Sequence, residues 1–315
     1  MTAGTRREGA MKVAVIGAGN VGATVAQRIV EADLADVVMV DVIEGVPQGK
    51  ALDLGQSGPI LDSSVKVTGT NDYREIAGAS VVVVTAGFPR KPGMSRDDLV
   101  AANRKVVAGV AAEIRKHAPD SVVIMVTNPL DTMAYIAMKE TGFPRERVLG
   151  MAGVLDSARF RYFIAAELGV KAADVSAMVL GGHGDSMVPL ISHTTVAGVP
   201  VRDLIAPERL AEIVQRTRTG GTEIVTLLGK GSAYYAPGAS AYVMVEAVVK
   251  DLARVLPVSV WAQGEYGIRD TFVGLPAVIG GKGLEKVVVM SLSPEELREL
   301  RRSAEDVRKE IGKLG

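Results

Sequence analysis

The chain has 315 residues, of which 48% are hydrophobic, and its 36 lysines and arginines balance 36 aspartates and glutamates. This balance gives no general attraction to nucleic acid or to anionic membranes, and no apolar run approaches the ~20 residues that a transmembrane helix needs. There is no cysteine, which excludes disulfides, thiolate metal sites and thiol nucleophiles. We therefore expect a soluble, cytoplasmic protein with no nucleic-acid or membrane partner and no metal site.

The first ten residues lack the apolar centre of a signal peptide and are predicted to be a disordered leader. From residue 11 onward, β-branched runs alternate with amphipathic segments, and the runs are apolar on both faces. The predicted strands are "MKVAVIG" (11–17), "DVVMVD" (36–41), "SVKVTG" (64–69), "SVVVVTAG" (80–87) and "SVVIMVTNP" (121–129). The predicted helices cover 21–32, 45–56 and 96–119. This alternation predicts an α/β domain over 11–150, with a doubly wound parallel sheet covered by helices on both sides.

The pattern changes near residue 150. Helices are predicted at 155–169, 207–229 and 237–254, and antiparallel strands at 257–267 and 271–280. A closing helix follows over 293–314, with Ser293 as N-cap and Pro294 in its first turn. We predict a second, mixed α+β domain over 151–315 that binds the substrate and shares one compact body with the first.

The first predicted strand leads into a G-x-G-x-x-G motif, Gly17, Gly19 and Gly22, which opens the first helix. In that context the motif predicts a Rossmann loop, whose bare backbone approaches a pyrophosphate. Asp41 closes the second strand, where a carboxylate would bond both ribose hydroxyls and repel a 2′-phosphate. NAD is therefore favoured over NADP. The alternative is an ordinary glycine-rich turn.

Glycines also crowd one histidine, His183, in the stretch "GGHGD". Bare backbone on both sides leaves an imidazole open to a ligand, and histidine suits proton exchange near neutral pH. Asp156 and Arg159 have helical i, i+3 spacing and would share a face, yet such spacing usually means a surface ion pair. Asp185 is a rival partner for His183. The sequence alone leaves the two aspartates undecided.

Two further segments lie at predicted strand ends. Asn128 precedes Pro129 at the end of the fifth strand, where ligands bind in doubly wound sheets. It is either a donor to a ligand or part of a simple turn, and we predict a cis bond before the proline. The loop "GFPRKPGMSR" carries Arg90, Lys91 and Arg96 among two prolines and two glycines.

In their order and context, "GAGNVG", "VMVD", "TAGFPRKPGMSR", "VTNPLD", "LDSARFR" and "GGHGDSMVP" resemble the lactate/malate dehydrogenase family. The resemblance runs from Met11 to the last helix. It is greatest to the malate dehydrogenase branch that is lactate-dehydrogenase-like in sequence.

The resemblance implies specific roles. His183 would be the acid–base, Asp156 its orienting partner, and Arg159 the clamp for the substrate's C1 carboxylate. Arg96 would polarise the reacting carbonyl, and Asn128 would donate a hydrogen bond near the substrate and the nicotinamide. The loop 87–96 would close over the site and bring Arg90 to the C3 substituent.

The resemblance also implies the cofactor and the reaction. The predicted NAD-binding residues are Gly17, Gly19, Asn20, Val21, Gly22, Asp41, Thr85, Ala86, Gly87, Asn103, Val126 and Asn128. The expected reaction is hydride transfer between NAD(H) and malate or oxaloacetate, as a step of the tricarboxylic acid cycle. The expected enzyme is a homodimer or homotetramer. A lactate dehydrogenase and a non-enzymatic NAD sensor are the alternatives; the sensor would be expected to lack His183 or Arg96.

Overall fold

Six parallel strands form the centre of the first half. The computed structural model describes residues 11–89 and 96–314. The strands are β1 (Lys12–Ile16), β2 (Asp36–Val40), β3 (Val67–Thr70), β4 (Val81–Val84), β5 (Val122–Met125) and β6 (Val148–Gly150). Their order in the sheet is β3-β2-β1-β4-β5-β6, and every neighbouring pair is parallel. The order reverses direction at β1, so the predicted doubly wound sheet is confirmed.

Four helices of the first half pack against this sheet: α1 (Asn20–Glu31), α2 (Val46–Leu61), α3 (Arg96–His117) and α4 (Leu130–Thr141). Alternate residues of a strand enter different cores because side chains alternate across a sheet. Val13 and Val15 of β1 pack in one cluster with α1, whereas Ala14 and Ile16 pack in another with α3 and α4. Burial on both faces explains why the strands read as continuous apolar runs.

The second half begins with helix α5 (Gly153–Leu168). Five two-residue strands follow: β7 (Val175–Ser176), β8 (Val179–Leu180), β9 (Val188–Pro189), β10 (Thr195–Val196) and β11 (Val199–Pro200). The remaining elements are α6 (Pro207–Leu228), α7 (Tyr235–Val249), β12 (Arg254–Gln263), β13 (Arg269–Gly280), β14 (Gly283–Val287) and α8 (Pro294–Gly312). The predicted mixed α+β character of this half is confirmed.

The central sheet continues into the second half. Strands β12, β13 and β14 pair antiparallel, and Ser259 of β12 pairs with Gly150 of β6. The result is one nine-stranded sheet in the order β14-β13-β12-β6-β5-β4-β1-β2-β3. The two halves therefore share a backbone hydrogen-bond network.

Several element boundaries differ from the sequence prediction. No element was predicted between 130 and 150, where α4 and β6 lie. Pro129 is the N-cap residue of α4, and its carbonyl accepts from the Met133 N–H at 2.9 Å, so the helix starts directly after the predicted turn. The helix predicted to reach 254 ends at Val249. The N-cap at Ser293 and the cis bond between Asn128 and Pro129 are both confirmed, and Glu296 completes a capping box with Ser293.

None of the helices within 11–89 and 96–314 is long and apolar enough to cross a membrane.

Candidate active site

The glycine motif forms a tight turn between β1 and α1. Gly17 has φ +102°, and a Cβ there would lie 2.7 Å from the backbone nitrogen of Ala86. A Cβ on Gly22 would lie 1.9 Å from the Gly17 carbonyl oxygen. Gly19, in contrast, faces open space and has an ordinary φ of −68°. Two glycines thus make the turn possible, and the third leaves bare backbone at the start of α1, where an anion is favoured.

Asp41 lies beside this turn, directly after β2. Its Oδ2 accepts from the Ala18 N–H at 2.7 Å, and its Oδ1 accepts from the Ile43 N–H at 3.0 Å. The carboxylate therefore stands at the end of β2, next to the glycine motif, in the position that the sequence predicted. Lys50 of α2 was missed: its Nζ donates to the Ala18 carbonyl at 2.7 Å. No local sequence signal distinguishes this lysine from a solvated helical one.

The residues that follow β4 and β5 complete the same edge of the sheet. Thr85 Oγ1 donates to the Gly17 carbonyl at 2.9 Å, which ties the β4 end to the glycine motif. Thr127 Oγ1 donates to the Ala86 carbonyl at 2.7 Å. Val126 is buried, and Asn128 is exposed at the mouth of the edge. The predicted cofactor residues Gly17, Thr85, Ala86, Gly87, Val126 and Asn128 thus belong to three adjacent strand ends.

Asn103 of α3 is fully buried beneath these strand ends. Its Oδ1 accepts from the Phe88 N–H at 2.7 Å, and its Nδ2 donates to the carbonyls of Phe88 at 3.1 Å and Asn128 at 2.7 Å. These bonds occupy both amide hydrogens. The geometry gives Asn103 an indirect place in the site, as the link between the β4 loop and Asn128.

His183 lies against the first turns of α4 and α5, which follow β5 and β6. Its Nδ1 is 2.8 Å from Asp156 Oδ2, and its backbone N–H donates to Asp131 Oδ2 at 2.8 Å. The histidine therefore lies on the same edge of the sheet as the glycine motif. Asp185, the rival partner, is exposed. Asp131 was not singled out from the sequence, although "VTNPLD" ends on it.

Burial and the neighbouring carboxylate act in opposite directions on the pKa of His183. The side chains of His183 and Asp156 are only 14% and 2% exposed. Burial disfavours the charged ring, but the charge and hydrogen bond of Asp156 outweigh it and raise the pKa of His183. Because the carboxylate engages Nδ1, the other ring nitrogen, Nε2, is the atom available to exchange a proton.

Arg159 lies one helical turn after Asp156, and its Nη1 is 3.3 Å from Asp156 Oδ1. Its Nε is buried and bonds to no described residue. Burial lowers the pKa of this guanidinium, and Asp156 opposes that change. A buried donor without a partner is costly, so this arginine suits an anion that binds beside His183.

The remaining predicted residues fall on the loop before α3. Arg90 and Lys91 lie outside the described residues, and Arg96 is the first residue of α3, with its side chain outside the description. Within the described part of the chain, no group of three or more His, Asp or Glu side chains could hold a metal ion.

Two family models match the chain: the NAD-binding domain of lactate/malate dehydrogenase over residues 11–150 and the alpha/beta C-terminal domain of that family over 153–314. The malate dehydrogenase of Desulforudis audaxviator is 54% identical over 297 residues, 94% of this chain and 96% of that protein. The malate dehydrogenase of Methanosarcina barkeri is 52% identical over 303 residues, 96% of this chain and 99% of that protein.

Solved structures are similar throughout the chain. The malate dehydrogenase of Salinibacter ruber matches with TM-score 0.92 and 50% identity, over 96% of this chain and 97% of that one. A Cryptosporidium parvum malate dehydrogenase matches with TM-score 0.95 and 45% identity, over 97% of this chain and 99% of that one. A lactate dehydrogenase of the same organism was solved with lactic acid and nicotinamide adenine dinucleotide. It matches with TM-score 0.93 and 44% identity, over 97% of this chain and 98% of that one.

Proposed function

Because this chain belongs to the lactate/malate dehydrogenase family, we propose that it is an NAD-dependent malate dehydrogenase. The observation that carries the proposal is the buried His183–Asp156 pair with Arg159 one turn away, at the edge of the sheet that also carries the glycine motif. A proton acceptor, its charge partner and an anion clamp are what oxidation of a 2-hydroxy acid requires of a protein.

The residues fit NAD. The bare backbone at Gly19 suits the pyrophosphate, and the Asp41 carboxylate suits the adenosine ribose and disfavours a 2′-phosphate. Asn20, Val21 and Gly22 continue the same turn into α1, and Asn103 acts through the backbone that it holds. When bound, the nicotinamide accepts or supplies the hydride.

His183 performs the proton transfer. In malate oxidation, neutral Nε2 accepts the proton of the C2 hydroxyl; in oxaloacetate reduction, the imidazolium returns it. Asp156 holds Nδ1–H and stabilises the imidazolium, as the carboxylate of a catalytic triad does. The raised pKa of His183 favours the imidazolium, so reduction should be sustained to higher pH and lost as the pH rises through that pKa.

Three arginines and one asparagine would hold the substrate. Arg159, whose buried Nε bonds to no described residue, would pair with the C1 carboxylate. Asn128 donates from the strand end. Arg96 polarises the carbonyl, and Arg90 pairs with the C4 carboxylate that malate has and lactate lacks. The resemblance implies that the loop 87–96, which carries Arg90 and Arg96, would close over the bound substrate.

A lactate dehydrogenase remains the second candidate, because a structure of that activity matches at 44% identity. Such an enzyme would prefer an uncharged residue at position 90. The resemblance implies a threonine at the position of Ala233 in lactate-specific members, and the smaller alanine here would leave room for a longer acid.

We further propose a homodimer or homotetramer in the cytoplasm, acting in the tricarboxylic acid cycle. Large apolar side chains on α2, at Leu52, Ile60 and Leu61, are 65%, 85% and 44% exposed and support a subunit contact there. The predicted organisation, with an NAD-binding domain over 11–150 and a substrate domain over 151–315, belongs to the same proposal; the predicted leader over 1–10 lies outside the described residues.

Oxidation of NADH with oxaloacetate, measured beside pyruvate, tests the activity. We expect kcat/KM to favour oxaloacetate by about two orders of magnitude or more, since Arg90 would face a carboxylate in oxaloacetate and a methyl group in pyruvate. A higher kcat/KM for pyruvate than for oxaloacetate would identify the chain as a lactate dehydrogenase. Failure to oxidise NADH with either acid would favour the sensor.

A further inference from the structure

Asp131 is a buried acid that the proposed mechanism does not use. It lies in the first turn of α4, two residues after Pro129, and is 5% exposed. Its Oδ1 accepts from Ser259 Oγ of β12 at 2.6 Å, and its Oδ2 accepts from the His183 N–H at 2.8 Å. One carboxyl group thus links α4, the antiparallel part of the sheet and the loop that carries the acid–base residue.

The backbone of that loop is held at three consecutive residues. The Gly181 N–H donates to the Gly274 carbonyl of β13 at 3.0 Å. The Gly182 N–H donates to Ser303 Oγ of α8 at 2.8 Å, and the next N–H, of His183, donates to Asp131. Of these three acceptors only Asp131 can carry a charge. A neutral side chain would have sufficed to hold an amide, as Ser303 does.

We propose that Asp131 is a positioning residue for the proton-transfer step, whose buried carboxylate both fixes the backbone of His183 and supplies a second negative charge close to its imidazole. The inference rests on the proposed function of His183. The two roles separate experimentally because an asparagine can accept the same N–H bond without the charge.

The charged groups that face His183 are few. Asp156 and Arg159 approach from α5, and Asp131 from α4. Asp185 lies exposed on the same loop, and α8 presents uncharged Ser303 and Val307 to the adjacent glycines. Burial raises the pKa of Asp131, and its two donors oppose that rise. Among the described residues, Asp131 and Asp156 are the two buried acids whose charge favours the imidazolium of His183, whereas the positive charge of Arg159 disfavours it.

The decisive experiment titrates the imidazole of His183 by NMR in wild type and in Asp131→Asn. The chain has three histidines, so the His183→Asn spectrum assigns the resonance. We expect the pKa of His183 to fall by about half a pH unit or more in Asp131→Asn, since a nearby negative charge is removed. An unchanged pKa overturns the inference, and this readout does not depend on turnover.

Two variants separate charge from position. Ser303→Ala removes the neutral acceptor of the Gly182 N–H and should leave the pKa of His183 unchanged. Asp131→Ala removes the charge and also leaves the His183 N–H unbonded. Its kcat should fall by about ten- to a hundredfold, because small misplacements of a catalytic group have effects of that size, whereas that of Asp131→Asn should fall less than tenfold. Equal losses in the two Asp131 variants would overturn the positioning role.

Kinetics then connect the titration to the reaction. For oxaloacetate reduction, which needs the imidazolium, the basic limb of kcat/KM should move to lower pH in Asp131→Asn by the amount seen in the titration. If Asp131→Asn is not recovered folded, the same measurements are made on Asp131→Ser, which is also neutral. A wild type that titrates as expected but turns over neither acid would refute the proposed function and not the link between Asp131 and His183.

Discussion

Replacing Asp156 with asparagine tests the centre of the site. The change keeps the size of the side chain and removes one charge from a pair whose atoms are 2.8 Å apart and whose side chains are 14% and 2% exposed. An amide rotated to accept from Nδ1–H can still orient the ring, but it cannot stabilise the imidazolium. Its NH₂ group can also hold the ring in the other tautomer, with the proton on Nε2.

The magnitude follows from burial. Removing one partner of a buried charge pair costs about 3–5 kcal/mol, and each ~1.4 kcal/mol is a factor of ten. The kcat/KM for oxaloacetate should therefore fall by about two to four orders of magnitude. The loss should grow as the pH rises, because the pKa of His183 falls without Asp156 and fewer molecules carry the imidazolium.

The assay is NADH oxidation across pH, with NADH binding followed by fluorescence. Binding should stay near the wild-type value. The matched control is Asp185→Asn, which removes the same charge from an exposed position two residues from His183; its activity should change little. Near-wild-type turnover in Asp156→Asn, or an equal loss in Asp185→Asn, would refute the assignment of Asp156 as the partner.

Three further changes probe other parts of the site. Asp41→Ser should narrow the kcat/KM preference for NADH over NADPH by about ten- to a hundredfold, the worth of a hydrogen bond to a charged group; an unchanged ratio would exclude a ribose contact. His183→Asn should lower turnover by about 10²–10⁴-fold with NADH binding intact, and near-full activity would make this histidine structural. Arg90→Gln should lower kcat/KM for oxaloacetate by about two to three orders of magnitude and raise that for pyruvate; an unmoved preference between the two acids would remove Arg90 as the specificity residue.

The parallel half of the fold was predictable because its signals are local. Strands such as Val81–Val84 are continuous β-branched runs, and the glycine motif needs its strand and helix on either side. The helix Leu130–Thr141 was missed although seven of its twelve residues are Leu, Met, Ala, Lys or Glu, which are strong helix formers. Reading the Asn-Pro pair as the end of an element hid the fact that a proline can also begin a helix.

The pairing of side chains could not be predicted, because it depends on contacts between distant segments. Asp185 is two residues from His183 and Asp156 is 27 away, yet only Asp156 is within hydrogen-bond distance. Sequence spacing placed Asp156 and Arg159 on one helical face but gave no sign that the face is buried. The bond from His183 to Asp131 spans 52 residues and has no local signature.

The continuous sheet explains how these distant segments reach one place. The glycine motif follows β1, whereas the loop of His183 is fixed to β13 through the paired backbone of Gly181 and Gly274. Both strands belong to the same nine-stranded sheet, so the glycine motif and His183 are held by one hydrogen-bonded framework. The proposed hydride and proton transfer would require the glycine motif and His183 at fixed positions relative to one carbon atom. Catalytic groups must be placed to within about 0.5 Å, which one continuous sheet favours over two independently moving domains. The pairing of Ser259 with Gly150 joins the parallel strands to the antiparallel ones. It lies at the edge of the sheet where α4 and α5 start, and the first turns of these helices carry Asp131 and Asp156.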